Sequence, residues 1–236
     1  MSKQLEWHEA IAALKPYVYR ISTPTGSGTG FFGHSLGCGG SVGIETAAHV
    51  VALAHEWEQP IRIEHYESGS VFTLKSDKRV VLLDQGRDTA AILFELGEVS
   101  LPRTPPELIA EGKIIKPGVE VGWLGFPAVS PRNLCFFSGR VSCAIEEDSA
   151  YLVDGVAING VSGGPTLWLS YDKSVCIGVV SAYIPNRATG EPLPGLAVVR
   201  EITQFHDVVK HLKNLDEARV AQAEADATSE LADRST

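Results

Sequence analysis

The sequence predicts an all-β protein, arranged as barrels or as a sandwich. Between about residues 20 and 200, twelve short apolar runs, among them PIRIEHY and RVVLLD, are separated by Gly, Pro, Asn and Asp. Runs of this length and spacing are typical of all-β architectures and not of alternating βα units. Closure of the sheets into barrels would also remove exposed strand edges. The 236 residues are enough for one pair of barrels, a sandwich or two small domains.

Helical patterns occur only at the two ends of the chain. A short helix is expected over residues 4–14, where apolar residues recur at helical spacing until Pro16 ends the pattern. Residues 17–21 then alternate as in a strand. Near the C-terminus, a second helix is expected, with an apolar face made of Ile202, Phe205, Val208, Val209 and Leu212.

Composition and charge exclude several classes of function. The formal net charge is −9, with 20 Lys and Arg against 29 Asp and Glu, and no dense basic run is present. Nucleic acid is therefore not an expected partner. No segment approaches the roughly 20 apolar residues of a membrane helix, and the N-terminus does not resemble a secretory signal. We expect neither a membrane partner nor a secreted protein.

The cysteines point to a reducing compartment. Cys38, Cys135, Cys143 and Cys176 lack the CxxC spacing of zinc clusters and dithiol redox motifs. We therefore expect reduced thiols in a cytoplasmic protein, with no metal and no cofactor.

Three motifs carry the chemistry. TAAH at 46–49 contributes His49, DTAAILF at 88–94 contributes Asp88, and GVSGGP at 160–165 contributes Ser162. A histidine, a carboxylate and a serine are the groups needed for nucleophilic attack activated by a base. The order His, Asp, Ser is one of several in which unrelated folds carry these groups.

Together the three motifs resemble those of the trypsin-like serine proteases of the chymotrypsin fold. GVSGGP differs from the usual G-(D/N)-S-G-G-P of that family only at Val161, and the strands CIGVVSAY and PGLAVV extend the likeness over roughly residues 20–202. The chain resembles more closely the bacterial high-temperature-requirement type proteases and related intracellular domains. Like these, it lacks the cysteine beside the histidine, since Val50 follows His49.

The resemblance implies the fold in more detail. It implies two six-stranded antiparallel barrels, with a boundary in the Pro-rich stretch LPRTPPELIAEGKIIKPG at 101–118. The expected parts are an N-terminal helical segment (1–19), a first barrel with His49 and Asp88 (20–110), a second barrel with Ser162 (111–200), a C-terminal helix (201–215) and a flexible tail (216–236).

The resemblance also implies a serine endopeptidase that acts through an acyl-enzyme. His49 would be the general base, Asp88 would orient it, and Ser162 would be the nucleophile. The backbone N–H groups of Gly160 and Ser162 would form the oxyanion hole. Expected partners are a protein or peptide substrate and a regulatory or activating protein.

Other residues compete for two of these roles. Asp84, four residues before Asp88, ends the run RVVLLD, but the turn-like QGR follows it, whereas an alternating apolar strand follows Asp88 as in the family. His34 and His55 are alternatives to His49, although both are expected on the surface or in loops. Val161 occupies the position where the secreted branch has an aspartate that receives the cleaved N-terminus, so activation by N-terminal cleavage is not expected.

The resemblance places the primary specificity pocket as well. Val156 would form its base, and its walls would come from Ser181, Ala182 and Tyr183 and from Gly195. An apolar base cannot pair a buried Lys or Arg, so small or medium apolar side chains are expected before the scissile bond. The rival hypothesis is a catalytically silent module that binds peptides in the same cleft.

Overall fold

The computed structural model describes residues 4–35, 41–95, 105–185 and 192–202, together with positions 205, 210, 214, 217, 218 and 220–222. For residues 34, 35, 41, 182–185 and 192–194 it describes the backbone alone. Within these ranges the protein consists mainly of antiparallel strands.

The N-terminal helix packs on the second half of the protein. Helix α1 (Trp7–Leu14) buries Ala10 and Leu14, and a 3-10 turn at Lys15–Tyr17 follows it. The indole of Trp7 lies 5.1 Å from the Phe136 ring and donates a 3.1 Å hydrogen bond to Glu120. The short helix predicted before Pro16 is therefore confirmed, and its contacts explain why its apolar residues lie on one face.

The first half of the chain forms a seven-stranded antiparallel sheet. Hydrogen bonds order it as β5-β4-β1-β2-β3-β7-β6. The strands are β1 (Val18–Thr23), β2 (Gly26–Ser35), β3 (Ser41–Thr46), β4 (Ile61–His65), β5 (Val71–Leu74), β6 (Val80–Asp84) and β7 (Thr89–Glu95).

The second half forms a closed six-stranded barrel in the order β10-β13-β12-β11-β8-β9. Its strands are β8 (Glu120–Gly125), β9 (Cys135–Ile145), β10 (Ala150–Asp154), β11 (Pro165–Ser170), β12 (Lys173–Pro185) and β13 (Pro192–Glu201). The all-β class and the two-barrel plan are confirmed, but the first unit has seven strands instead of six. Hydrogen bonds among the described residues close only the second unit.

One predicted strand region is partly a helix. The run SVGIETAAHVVALA splits at Ala47, because its first half is β3 and its second half is helix α2 (Ala48–Glu56). Val50, Val51 and Ala54 form the buried face of α2. The expectation that helix occurs only at the chain ends was therefore wrong, since a short continuous apolar run fits a buried strand and a buried helix equally well.

The Pro-rich stretch between the two sheets packs on the second barrel where it is described. Leu108 forms an isolated bridge with Cys176 of β12, and Ile109 donates a 2.8 Å hydrogen bond to the Cys176 carbonyl. Ile109 and Ile115 are both buried.

The end of the chain is described only in part. Glu201 still belongs to β13, while Ile202 and Phe205 are buried in the core of the second barrel. The helical face predicted with Val208, Val209 and Leu212, and most of the tail predicted over 216–236, lie outside the described residues. Of the helices described, none is long and apolar enough to span a lipid bilayer.

Candidate active site

His49 lies in the first turn of α2, the helix that follows strand β3 of the first sheet. Strand β3 ends at Thr46, Ala47 is extended, and the helix begins at Ala48. The buried side of α2 is taken by Val50 and Val51, so the neighbouring His49 faces outward, with 51% of its side chain exposed. The imidazole is thus fixed to a rigid element and accessible from solvent.

Asp88 holds the histidine at two points. Its carboxylate accepts a 2.9 Å hydrogen bond from the backbone N–H of His49, and its oxygens lie 2.8 and 3.0 Å from His49 Nδ1. Asp88 has a left-handed backbone (φ 52°) immediately before β7. Aspartate tolerates this conformation better than most residues.

Asp84 is occupied elsewhere. One of its carboxylate oxygens accepts a 3.0 Å hydrogen bond from the backbone N–H of Arg87, and the other lies 3.8 Å from the Arg87 guanidinium. These contacts stabilise the turn between β6 and β7. Of the two aspartates considered from the sequence, Asp88 is the one beside His49.

Ser181 adds a contact that the sequence did not indicate. It is 1% exposed, and its hydroxyl donates a 2.5 Å hydrogen bond to Asp88 Oδ2. Ser181 was expected in a wall of the specificity pocket, but its side chain is directed to the carboxylate. Ser181 stands in the apolar run CIGVVSAY, which carries no signal of a partner 93 residues earlier.

These contacts set the charge of Asp88. Burial alone would raise the pKa of this carboxyl group. This effect is outweighed by hydrogen bonds from the His49 ring, the Ser181 hydroxyl and the His49 backbone N–H, and by the attraction to His49. Together they hold the pKa of Asp88 below its usual value. Asp88 is consequently ionised at neutral pH.

The Ser162 segment lies against the start of the histidine helix. A side-chain carbon on Gly163 would be 2.2 Å from Thr46 Oγ1 and 2.9 Å from the Ala47 nitrogen, so only glycine permits this approach. The Ser162 carbonyl accepts a 2.8 Å hydrogen bond from Thr29 of β2, and Gly163 donates a 2.6 Å bond to Val180 of β12. Both sheets therefore hold the Ser162 segment beside the residues that precede His49.

The His49 ring and the Ser162 hydroxyl are not hydrogen-bonded to each other in this structure. The hydrogen bonds described for the His49 ring all go to Asp88. Looser contact between base and nucleophile is common in enzymes without substrate.

The predicted oxyanion donors are the backbone N–H groups of Gly160 and Ser162. The Asn159 carbonyl accepts a 2.7 Å hydrogen bond from the Ala128 N–H. Because this peptide is trans, the Gly160 N–H points to the opposite side. Neither the Gly160 N–H nor the Ser162 N–H donates to a backbone carbonyl within the described ranges.

Gly160 cannot be replaced without strain. Its φ is +91°, and a side-chain carbon there would lie 2.3 Å from the Phe126 carbonyl oxygen. The positive φ disfavours other residues and the close carbonyl excludes them.

Thr29 connects the parts of this site and was not recognised in the sequence. Its buried hydroxyl donates a 2.8 Å hydrogen bond to the Gly160 carbonyl and accepts a 3.0 Å bond from the Phe126 N–H. Its own carbonyl accepts a 2.7 Å bond from the Thr46 hydroxyl. One residue of the first sheet thus links the histidine segment, the serine segment and the end of β8.

The predicted specificity pocket is described in part. Val156 is 49% exposed, and the Gly155 N–H donates a 2.9 Å hydrogen bond to the Gly195 carbonyl, so base and wall are adjacent. A side-chain carbon on Gly195 would lie 3.9 Å from Asp154 Oδ1, which puts a carboxylate beside this wall. The side chains of Ala182 and Tyr183 lie outside the described residues.

The remaining candidates are placed elsewhere or undescribed. His55 is exposed in the last turn of α2, and the side chain of His34 lies outside the described residues. Val161 is fully buried in the core of the second barrel. An apolar side chain thus fills the position where the secreted proteases have an aspartate.

The fold is similar to that of several proteases of known structure. The crystal structure of Deg5 matches with a TM-score of 0.63 and 23% identity, over 89% of this chain and 97% of that chain. The serine endoprotease from Yersinia pestis matches with a TM-score of 0.65 and 16% identity, over 89% of this chain and 67% of that one. The Rv3671c protease in an inactive form matches with a TM-score of 0.57 and 22% identity, over 81% of this chain and 86% of that one.

At these identities the likeness establishes the chymotrypsin-like fold, as predicted from the sequence. No family model and no curated protein matches the sequence.

Proposed function

We propose that this protein is a serine endopeptidase in which His49, Asp88 and Ser162 act as the catalytic triad. The observation that carries the proposal is the double attachment of His49 to Asp88, through its ring at 2.8 Å and its backbone N–H at 2.9 Å. A histidine fixed in this way by a partly buried carboxylate is an oriented general base. The Gly163 contact with Thr46 and Ala47 supports the choice of Ser162 as nucleophile.

The protonation states follow from the contacts. Because Asp88 is ionised, the His49 nitrogen that faces it, Nδ1, carries the proton and donates to the carboxylate. The lone pair on Nε2 then accepts the Ser162 proton as Oγ attacks the substrate carbonyl. The imidazolium gives this proton to the leaving amine, and a water molecule hydrolyses the acyl-enzyme by the same route.

The N–H groups of Gly160 and Ser162, which donate to no backbone carbonyl of the described residues, would stabilise the oxyanion that forms at each attack. Such a donor contributes about 3–4 kcal/mol when it is held in place before the reaction. Two hydrogen bonds hold the peptide groups that flank the Gly160 α-carbon. Ala128 donates to the Asn159 carbonyl, and Thr29 donates to the Gly160 carbonyl.

Hydrolysis of a quenched fluorescent peptide library by purified variants tests the proposal. Ser162→Ala and His49→Ala should each lower kcat by about three powers of ten or more, and the double variant should lose little more, because the pair acts as one unit. Ser76→Ala, an exposed serine in a turn of the first sheet, is the matched control and should retain full activity. Equal activity in Ser162→Ala and Ser76→Ala would refute the assignment.

The second candidate is a silent module that binds peptides in the same cleft. The missing hydrogen bond between His49 and Ser162 favours it over an enzyme that is always aligned. A silent module would bind library peptides without cleaving them, and Ser162→Ala would leave the affinity unchanged.

The proposed specificity is for small or medium apolar residues before the scissile bond. Val156 supplies an apolar base, while Asp154 is the acidic group beside the Gly195 wall. Each methylene that fits should change kcat/KM by about 10-fold or somewhat more, so the preference should be graded. Dominant cleavage after Lys or Arg that disappears in Asp154→Asn would show that this carboxylate enters the pocket and would refute the apolar assignment.

We further propose that the substrates are proteins of a reducing, cytoplasmic compartment and that a partner regulates the enzyme. The thiols of Cys135, Cys143 and Cys176 are free, and burial raises the pKa of Cys176 to about 12. Thiol titration of denatured protein from cell lysates blocked at harvest should find these cysteines reduced.

A further inference from the structure

A cavity beside the candidate active site has no role in the proposed reaction. It has a volume of about 410 Å³ and lies between strands β1 and β4 of the first sheet and the turn that follows β8. Its walls carry Arg20, Arg62, Glu64 and Arg132, and its apolar part is made of Tyr66 and Phe126.

The cavity carries more positive than negative charge. Glu64 accepts a 2.8 Å hydrogen bond from Arg62 and lies 3.9 Å from the guanidinium of Arg20. Arg20 Nε is buried without a hydrogen-bond partner, and Arg132 forms no hydrogen bond or ion pair within the described part of the chain. One carboxylate thus faces three guanidinium groups, so the cavity is locally positive although the net charge of the protein is −9.

The shape of the cavity selects among anions. The Tyr66 and Phe126 rings pack with centroids 5.9 Å apart, and Phe126 is 5% exposed. Aromatic surface suits the methylene groups of a short side chain, while guanidinium groups bind carboxylates through two parallel hydrogen bonds. We propose that this cavity binds an acidic side chain, Asp or Glu, of the polypeptide that the enzyme cleaves.

Phe126 lies next to the proposed oxyanion hole, so the acidic side chain should belong to the substrate itself. The Phe126 carbonyl lies against Gly160, whose N–H belongs to the proposed oxyanion hole, and the Phe126 N–H is bonded to Thr29. An extended chain whose scissile carbonyl faces Gly160 therefore runs close to the cavity. This inference rests on the proposed function.

Matched peptides test the site. A single Glu, paired with Gln as the uncharged control, is moved through four positions on each side of the scissile bond of a cleaved peptide. At one position the Glu peptide should have a kcat/KM about three- to fivefold higher, as expected for a partly exposed charge pair. This preference should disappear in Arg132→Gln and should shrink at 0.5 M NaCl.

The variants are chosen to separate the cavity from the overall charge. Lys116→Gln removes an exposed cation outside the cavity and should keep the Glu preference of the wild type. Arg132→Glu should instead favour a peptide with Lys at the same position. Equal kcat/KM for the Glu and Gln peptides at every position would overturn the site, as would loss of the preference in Lys116→Gln.

Binding separates this proposal from the proposed function. The same labelled peptides are titrated into Ser162→Ala protein, and their affinity is read by fluorescence anisotropy. A Glu preference in affinity that Arg132→Gln removes supports the site even if no peptide is cleaved, in which case the peptidase proposal alone fails. If a free acidic peptide added in trans accelerates cleavage of the Gln peptides and no Glu position is preferred, the anion comes from a separate effector and the substrate assignment is wrong.

Discussion

Replacing Thr29 by Val tests how the first sheet supports the oxyanion site. The substitution keeps the β-branched shape and removes only the hydroxyl, which leaves the Gly160 carbonyl without its donor and the Phe126 N–H without its acceptor. Both groups are buried. Each unsatisfied buried group costs about 1–3 kcal/mol, so the free energy of unfolding should fall by about 2–6 kcal/mol.

The effect on catalysis should be separable from the effect on stability. Full loss of one oxyanion donor lowers kcat by about 10²–10³. In Thr29→Val the Ala128 bond still holds one of the two peptide groups at Gly160, so kcat should fall by about 10- to 100-fold with KM changed less than about threefold. Steady-state kinetics at a temperature where the variant is folded, with urea unfolding for stability, measure both quantities.

Two further variants control this prediction. Thr29→Ser keeps the hydroxyl and should recover most of kcat. Thr46→Val removes an equally buried hydroxyl that bonds the Thr29 carbonyl, and it should reduce stability with kcat within about threefold of the wild type. If folded Thr29→Val keeps the wild-type kcat, or if Thr46→Val loses as much, Thr29 has no particular role in positioning Gly160.

Three other predictions follow from the same geometry. The pKa of Asp88 is lower in the folded than in the unfolded protein. Its stabilising contribution is therefore present above the ordinary Asp pKa of about 3.9 and is lost as pH falls through the lower folded value. Between pH 5 and 3, urea unfolding should show that Asp88→Asn loses less stability than the wild type. The reverse order would contradict the contacts of Asp88. Gly160→Ala should destabilise the protein more than Gly118→Ala. Both glycines have positive φ (+91° and +87°), but only at Gly160 would the new side chain meet a neighbouring carbonyl. Equal losses in thermal unfolding would show that the loop moves aside. Finally, activity should be unchanged by dithiothreitol, since the described cysteines are free, and inactivation would reveal a disulfide involving Cys38 or another chain.

The site residues proposed from the sequence are those that stand in a local pattern. His49, Asp88 and Ser162 each stand in a short motif, and the structure brings Asp88 to His49 and the Ser162 segment to the start of α2. The strands from β4 to β13 follow alternating or apolar runs bounded by turn residues, which is a signal contained in the segment itself.

The residues that were missed depend on contacts between distant segments. Thr29 bonds to Gly160, 131 residues away, and Ser181 bonds to Asp88, 93 residues away, and no local pattern encodes either pairing. Helix α2 was missed for another reason, since β3 and α2 together read as one continuous apolar run and the change of period at Ala47 is hidden by small residues.

Labelling with an active-site fluorophosphonate probe is the most direct test of a working triad. In native wild-type protein the probe should form one adduct, which peptide mapping by mass spectrometry should place on Ser162. Labelling should be abolished in His49→Ala, strongly reduced in Asp88→Asn and retained in Ser76→Ala, because only an aligned base activates the serine. No adduct on Ser162, or equal labelling in wild type and His49→Ala, would contradict the proposal that these residues form a catalytic triad.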